Sequence, residues 1–215
     1  MTKKIVSFDL DGTLVDFRSF DDVFWYEEMP KLYAKKHGVA FAAARKICLN
    51  EYRKVGNRKP EWFRPSFWFS RFSLNCKLEE ITAGMRCRVK LLPHAKRTLS
   101  KLSKRYKLVI FTHTSRELLD IKMKMEGLGN YFSEVFSVVD DFGMVKDEKA
   151  YAMLLKRLGV SPECVTHVGD NYKFDYLIPR SLGITAIYID RSRKKSGKYI
   201  IRSLRVLPAL IEKIQ

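Results

Sequence analysis

The chain has 215 residues, enough for one α/β domain with an insertion or for two small domains, and enough to bury a substantial core. Hydrophobic residues make up 46% of it, which excludes wholesale disorder. The net charge of +17, from 41 Lys and Arg against 24 Asp and Glu, draws anions such as phosphate esters, nucleotides or nucleic acid, although a solvated lysine-rich surface is the plainer account.

In chain order, residues 4–9 read as a short buried strand: the run Ile5-Val6-Ser7-Phe8 ends on Asp9, and Gly12 breaks the pattern. Asp9 and Asp11 then sit at the strand's carboxyl end, where open α/β sheets bind ligands. Two carboxylates this close repel unless a cation or a proton lies between them. Residues 10–17 turn away from the sheet. Residues 18–90 are crowded with aromatics, including Phe20, Trp25, Trp62 and Trp68, and read as an inserted helical module. Within it Phe41, Ala44, Cys48 and Tyr52 recur at helical spacing, and Gly56 to Pro60 and Pro65 mark a break.

Pro93 starts the return to the α/β pattern. Ala95, Leu99 and Leu102 mark a helix, and Lys107 to Thr112 a second strand. Residues 115–126 read as a helix with Leu118, Ile121 and Met125 on one face, ended by Gly127 and Gly129. Residues 135–139 form a third strand. Ala150, Tyr151, Leu154 and Leu158 share a helix face that Gly159 stops. Residues 164–168 form a fourth strand, 172–182 a helix, 184–189 a fifth strand, and Leu207, Leu210, Ile211 and Ile214 a last amphipathic helix.

Cys48, Cys76, Cys87 and Cys164 include no C-x-x-C pair, so a zinc or redox site is not expected, and a Cys76–Cys87 bridge has nothing to support it. No leading segment resembles a signal peptide, and no apolar run approaches the roughly 20 residues of a membrane helix. A reduced, cytoplasmic protein without a membrane partner is the expectation. No feature sets an oligomeric state.

Strands alternating with helices predict a doubly wound parallel sheet covered on both faces. Right-handed crossovers put every strand's carboxyl end on one edge. Asp9, Thr112, the loop after Val139 and Asp170 are therefore expected to converge.

Asp9-Leu10-Asp11-Gly12-Thr13 after an apolar strand resembles the first motif of the haloacid dehalogenase-like (HAD) hydrolase superfamily. Phe111-Thr112-His113 resembles the family's Thr/Ser motif, a Lys before the next helix its third, and Gly169-Asp170-Asn171-Tyr172-Lys173-Phe174-Asp175 its Gly-Asp-x4-Asp motif. The third motif departs from the family's usual Lys-Pro-Asp-Pro: here it is Val145-Lys146-Asp147-Glu148-Lys149, with Lys146 favoured and Lys149 the alternative. The resemblance implies a Rossmann-like core over 1–17 and 91–215 with residues 18–90 as a helical cap. It also implies the phosphatase branch, hydrolysing a small phosphorylated metabolite with Mg²⁺ through an aspartyl-phosphate intermediate. Under it Asp9 is the nucleophile and Asp11 the acid/base. Thr112, Lys146 and His113 meet the phosphoryl group. Asp9, the Asp11 backbone carbonyl and Asp170 hold Mg²⁺, and Asp175 supports them from behind.

Two other readings compete. A 2-haloacid dehalogenase uses the same nucleophile without a metal, but that branch lacks a carboxylate at the position of Asp11. A non-catalytic nucleic-acid-binding protein would use the basic charge and the aromatics, but leaves the four motifs without a purpose. Trp25, Arg64 and Arg71 are candidates for facing the substrate. His167 reads as a core residue, and Arg191, Arg193, Lys194 and Lys195 as a solvated basic loop.

Overall fold

The computed structural model describes residues 4–214. Strands β1 (Ile5–Phe8), β2 (Lys107–Thr112), β3 (Glu134–Ser137), β4 (Val165–Gly169), β5 (Thr185–Ile189) and β6 (Ile200–Ile201) form one sheet, parallel throughout, in the order β3-β2-β1-β4-β5-β6. β1 is central, with Phe8 aligned to Ile110 on one side and Val168 on the other. All four of its residues are buried, as expected for a strand covered on both faces.

The chain moves from β1 outward through β2 to β3, then returns to place β4 on the other side of β1. The connections therefore diverge between β1 and β4. Such a divergence opens a crevice beyond the strands' carboxyl ends, and here Asp9 follows one strand and Asp170 the other.

Helices α1 (Phe17–Val23), α2 (Met29–His37), α3 (Phe41–Val55), α4 (Pro65–Arg71) and α5 (Leu78–Ala83) fill the stretch between β1 and β2. The helices that follow are α6 (Ala95–Leu102), α7 (Arg116–Lys124), α8 (Val138–Asp141), α9 (Glu148–Leu158), α10 (Ile178–Ser181) and α11 (Leu207–Ile214). Strand residues alternate between two apolar clusters. Val6, Phe8, Leu108 and Ile110 join α6, α7 and α11 on one face. Ile5, Val109 and Phe111 join α9 and α10 on the other.

The insertion shares the first cluster through Phe20, Phe24, Trp25, Tyr52 and Trp68. Its entry and exit run side by side: the Asp16 N–H donates to the Lys90 carbonyl at 2.8 Å, and the Leu92 N–H to the Leu14 carbonyl at 2.8 Å. Trp68 is fully buried, edge-on to Tyr52 at 4.6 Å between ring centres. Its indole N–H reaches the Trp62 carbonyl at 2.9 Å, and the Tyr52 hydroxyl the Trp25 carbonyl at 3.1 Å. Both rings have thus found a partner for their polar atom.

The structure departs from the pattern reading in several places. α3 buries Ala44, Cys48 and Tyr52, but Phe41, at its first turn, is 43% exposed. The third strand stops at Ser137, because the Ser137 hydroxyl accepts from the Asp140 N–H and starts α8. Residues 172–182 are not one helix: a wide π-turn over Tyr172–Leu177 precedes α10. β6, at two residues, is too short for alternation to reveal. The Met125 side chain lies outside the described residues. All four cysteines are free, and no helix among the described residues is long and apolar enough to cross a membrane.

Because Trp68 anchors the insertion's aromatic cluster, Trp68→Ala is expected to lower the free energy of unfolding by about 3–5 kcal/mol, read from urea denaturation. A loss below about 1 kcal/mol would show that the cluster closes over the gap.

Candidate active site

The ends of β1, β2 and β4, with the loop before α9, converge on one cavity of about 330 Å³. Backbone geometry makes that convergence close. Asp9 donates its N–H to the Val168 carbonyl at 2.9 Å, tying the two central strand ends together. Gly12 turns the chain at a φ of 76°, and a β-carbon there would stand 2.2 Å from an Asp170 carboxylate oxygen. A β-carbon on Gly169 would stand 2.3 Å from the Asp175 carboxyl carbon. Glycine at these two positions is what lets the carboxylates pack against backbone.

Lys146 is the cation of this cluster. It is 1% exposed, and its ammonium donates to Asp9 Oδ1 at 2.6 Å and Asp175 Oδ1 at 2.7 Å. Burial alone would favour a neutral amine, but the attraction of Asp175 and Asp9 outweighs it and raises the Lys146 pKa. Asp175 shows the opposite balance. Burial works to raise its pKa, yet Lys146 and His167 together hold it well below the usual carboxylate range. His167 Nε2 lies 3.2 Å from Asp175 Oδ1 and its Nδ1 3.0 Å from the Ser7 hydroxyl. The Asn171 N–H donates to Asp175 Oδ2 at 3.0 Å.

Asp9 carries the strain of this crowding. Burial pushes its pKa up to about 8, Asp175 and Asp170 reinforcing the rise and Lys146 opposing it. Asp170 is likewise pushed up to about 6, by burial and then by Asp175. Carboxylate oxygens of Asp9, Asp170 and Asp175 lie within 4.8 Å of one another. The Thr13 hydroxyl stands 3.3 Å from both Asp9 Oδ2 and Asp170 Oδ1, and its single hydrogen serves only one of them at a time. Asp175 is already engaged by three donors, so Asp9 and Asp170 are the carboxylates with oxygen left to offer. Hard oxygen donors and uncompensated negative charge fit a small divalent cation such as Mg²⁺, which takes about six oxygens, some from water.

Asp11 stands apart from that trio. Lys122 donates to its Oδ1 at 2.6 Å, and the Thr114 hydroxyl donates to its Oδ2. Asp21 on α1 accepts from Lys122 with both oxygens at 2.7 Å. Burial pushes Asp21 up to about 7, with Asp11 adding to the rise and Lys122 opposing it.

Thr112 is buried at the end of β2, its hydroxyl 3.0 Å from that of Thr114. Either Thr114 or Ser115, just ahead of α7, could cap that helix with its hydroxyl. Instead the Thr114 hydroxyl serves Asp11, the buried Ser115 hydroxyl has no partner, and Asp140 takes the Arg116 N–H at 2.6 Å. His113 lies against Phe63, ring centres 4.8 Å apart, and its Nε2 accepts the Lys146 N–H at 2.7 Å. Burial, helped by Lys146, pushes its pKa down to about 3, so it stays neutral.

Trp25, with Tyr26, Trp62 and Phe63, forms the wall contributed by the insertion. Arg64 and Arg71 do not line it. Arg64 bonds Asp140 Oδ1 at 2.7 Å and the Val139 carbonyl, and Arg71 pairs with Glu51. Lys149 is exposed on α9 while Lys146 reaches the carboxylates. Arg191 is not a merely solvated loop residue: its guanidinium donates to the carbonyls of Gly12 and, at 3.2 Å, Thr13. Lys122 was missed, although the sequence held a signal: it falls on the apolar face of α7, three and four residues beyond Leu119 and Leu118.

The family model for haloacid dehalogenase-like hydrolases matches residues 3–183. A solved HAD phosphatase from Thermococcus onnurineus superposes with a TM-score of 0.84 at 30% identity, covering 97% of each chain. The glyceraldehyde 3-phosphate phosphatase of Pyrococcus furiosus is 25% identical over 228 residues, 98% of this chain and 93% of that one. Haloacid dehalogenase-like hydrolase domain-containing protein 3 of Danio rerio is 34% identical over 92 residues, and there the match spans only 38% of the relative's length. With the four motifs gathered at one strand edge and a family match over most of its length, the chain belongs to the haloacid dehalogenase-like hydrolase family.

Proposed function

We propose that the protein is a Mg²⁺-dependent phosphomonoester hydrolase that works through an aspartyl-phosphate intermediate on a small phosphorylated metabolite, with the helical insertion over 18–90 as its cap. The observation that carries the reading is the separation of two carboxylates in one cavity. Asp9 is bonded to Lys146, while Asp11, two residues on, is held by Lys122 and Thr114. A nucleophile and an acid/base need such different surroundings.

Asp9 attacks phosphorus with a carboxylate oxygen, forming an acyl phosphate as the ester's P–O bond breaks. Asp11 gives its proton to the departing oxygen, then takes one from the water that hydrolyses the intermediate. Lys146 and the Thr112 hydroxyl offer donors to the phosphoryl oxygens, and Lys146 offsets their charge. His113, neutral and packed on Phe63, shapes the wall beside them. Asp175 aligns Lys146, with His167 and Asn171 aligning Asp175. Mg²⁺ held by Asp9, Asp170 and the Asp11 carbonyl would offset the charge of Asp9 and of the phosphoryl group.

Supporting the phosphatase reading over haloacid dehalogenation is Asp11 itself: halide leaves as an anion and needs no proton. The cavity volume and the aromatic wall suit a small ester.

Asp9→Asn, which keeps the side chain's shape, is expected to lower phosphatase turnover by on the order of 10³-fold or more while leaving the circular dichroism spectrum unchanged. Near-normal turnover in that variant would remove Asp9 as nucleophile. Chelation with EDTA is expected to abolish phosphate release and added Mg²⁺ to restore it; full activity in EDTA would rule the cation out. Lys146→Met is expected to cost about 10²-fold or more in kcat/KM, whereas Lys149→Met stays within about twofold of the parent. The reverse ranking would reassign the motif lysine.

A further inference from the structure

One ion cluster at the cavity's edge joins Asp11 to two residues outside the family motifs, Lys122 and Asp21. Lys122 is fully buried on the inner side of α7, its ammonium 5.4 Å from the centre of the Phe20 ring. An ammonium has three donors. Here they meet three carboxylate oxygens, Asp11 Oδ1 at 2.6 Å and the two oxygens of Asp21 at 2.7 Å each. No donor is left to rotate toward substrate.

Asp21 alone supplies one negative charge, enough to compensate a buried Lys122. A tie between α1 and α7 thus has no electrostatic need of Asp11. Yet Asp11 is included, and its side chain keeps 24% of its surface open while Lys122 keeps none. With Lys122 on one oxygen and the Thr114 hydroxyl on the other, rotation of the Asp11 carboxylate breaks a buried hydrogen bond. One lone pair on each oxygen is occupied, and the rest are left for the cavity that Asp11 lines.

We propose that Lys122, itself held by Asp21, is a positioning residue that fixes the Asp11 carboxylate for proton transfer to the leaving group and from the hydrolytic water. The proposal rests on the reading of Asp11 as acid/base. In the first step the Asp9–phosphorus bond forms, the ester P–O bond breaks, and the proton of Asp11 passes to the departing oxygen. In the second, water's oxygen bonds phosphorus, its proton returns to Asp11, and the Asp9–phosphorus bond breaks. Lys122 keeps its protons throughout.

The test compares two esters by kcat/KM, which reads the steps up to departure of the leaving group. Phenyl phosphate needs a proton for its leaving oxygen; 2,4-dinitrophenyl phosphate does not. Lys122→Met is expected to lose about 10- to 100-fold on phenyl phosphate and no more than about threefold on the dinitrophenyl ester. Asp21→Asn is expected to show the same pattern with a loss of at least about fivefold on phenyl phosphate. Both variants are also expected to release a burst of dinitrophenolate equal to the enzyme present, because the water step slows as well.

A structural tie would lower both esters alike and give no burst. Equal losses on the two esters, or no loss on either, overturns the proposal. Should Lys122→Met fail to fold, with two buried carboxylates unpaired, Asp21→Asn decides by the same comparison. Asp11→Asn run alongside separates the two levels: no leaving-group dependence there removes the acid role of Asp11 itself, whatever Lys122 does.

Discussion

The site depends on the bond from the buried Lys146 ammonium to Asp9 and Asp175. Asp9, Asp170 and Asp175 are brought together where the sheet's connections diverge, and the Lys146 ammonium bonds directly to two of them. Removing either partner from such a buried pair strands a charge without solvent, which costs several kcal/mol. The backbone around it is shaped to that pair. Gly169 lets Asp175 lie against β4, Asn171 and His167 fix its oxygens, and the Lys146 N–H is received by His113.

Lys146 bonded to two of the three carboxylates leaves the balance incomplete. Lys146 and His167 hold Asp175 low, whereas burial and the neighbouring carboxylates raise Asp9 and Asp170. The same crowding that makes the cluster costly also makes it receptive to a divalent ion. Asp11, only two residues from Asp9, joins a different network on α7 and α1, because Gly12 and the turn after β1 direct it there.

The insertion meets the core by polar and aromatic contacts as well as by shared apolar packing. Arg64 reaches Asp140 and the Val139 carbonyl on α8, Phe63 lies on His113, and Asp21 reaches Lys122. Two residues that looked available for substrate, Arg64 and Arg71, are spent on ion pairs. Basic residues near a cavity are readily assigned to anions from sequence, but which carboxylate claims them first depends on distances that spacing does not encode.

The linear pattern by itself was enough for five of the strands, their parallel arrangement, the inserted helical stretch and the placing of Asp9, Thr112 and Asp170 at strand ends, because a strand covered on both faces must be apolar and a residue at its end must follow it immediately. It could not supply β6, the wide turn at Tyr172–Leu177 or the capping of α7 by Asp140, which arise from contacts too short or too remote for periodicity. Only the folded chain decided that Lys146 rather than Lys149 reaches the carboxylates, that Arg191 clasps the Gly12–Thr13 carbonyls, and that Lys122 and Asp21 stand behind Asp11. Those pairings join residues more than a hundred positions apart or turn on which side of a helix faces inward, and electrostatic attraction acts through distance in space, not along the chain.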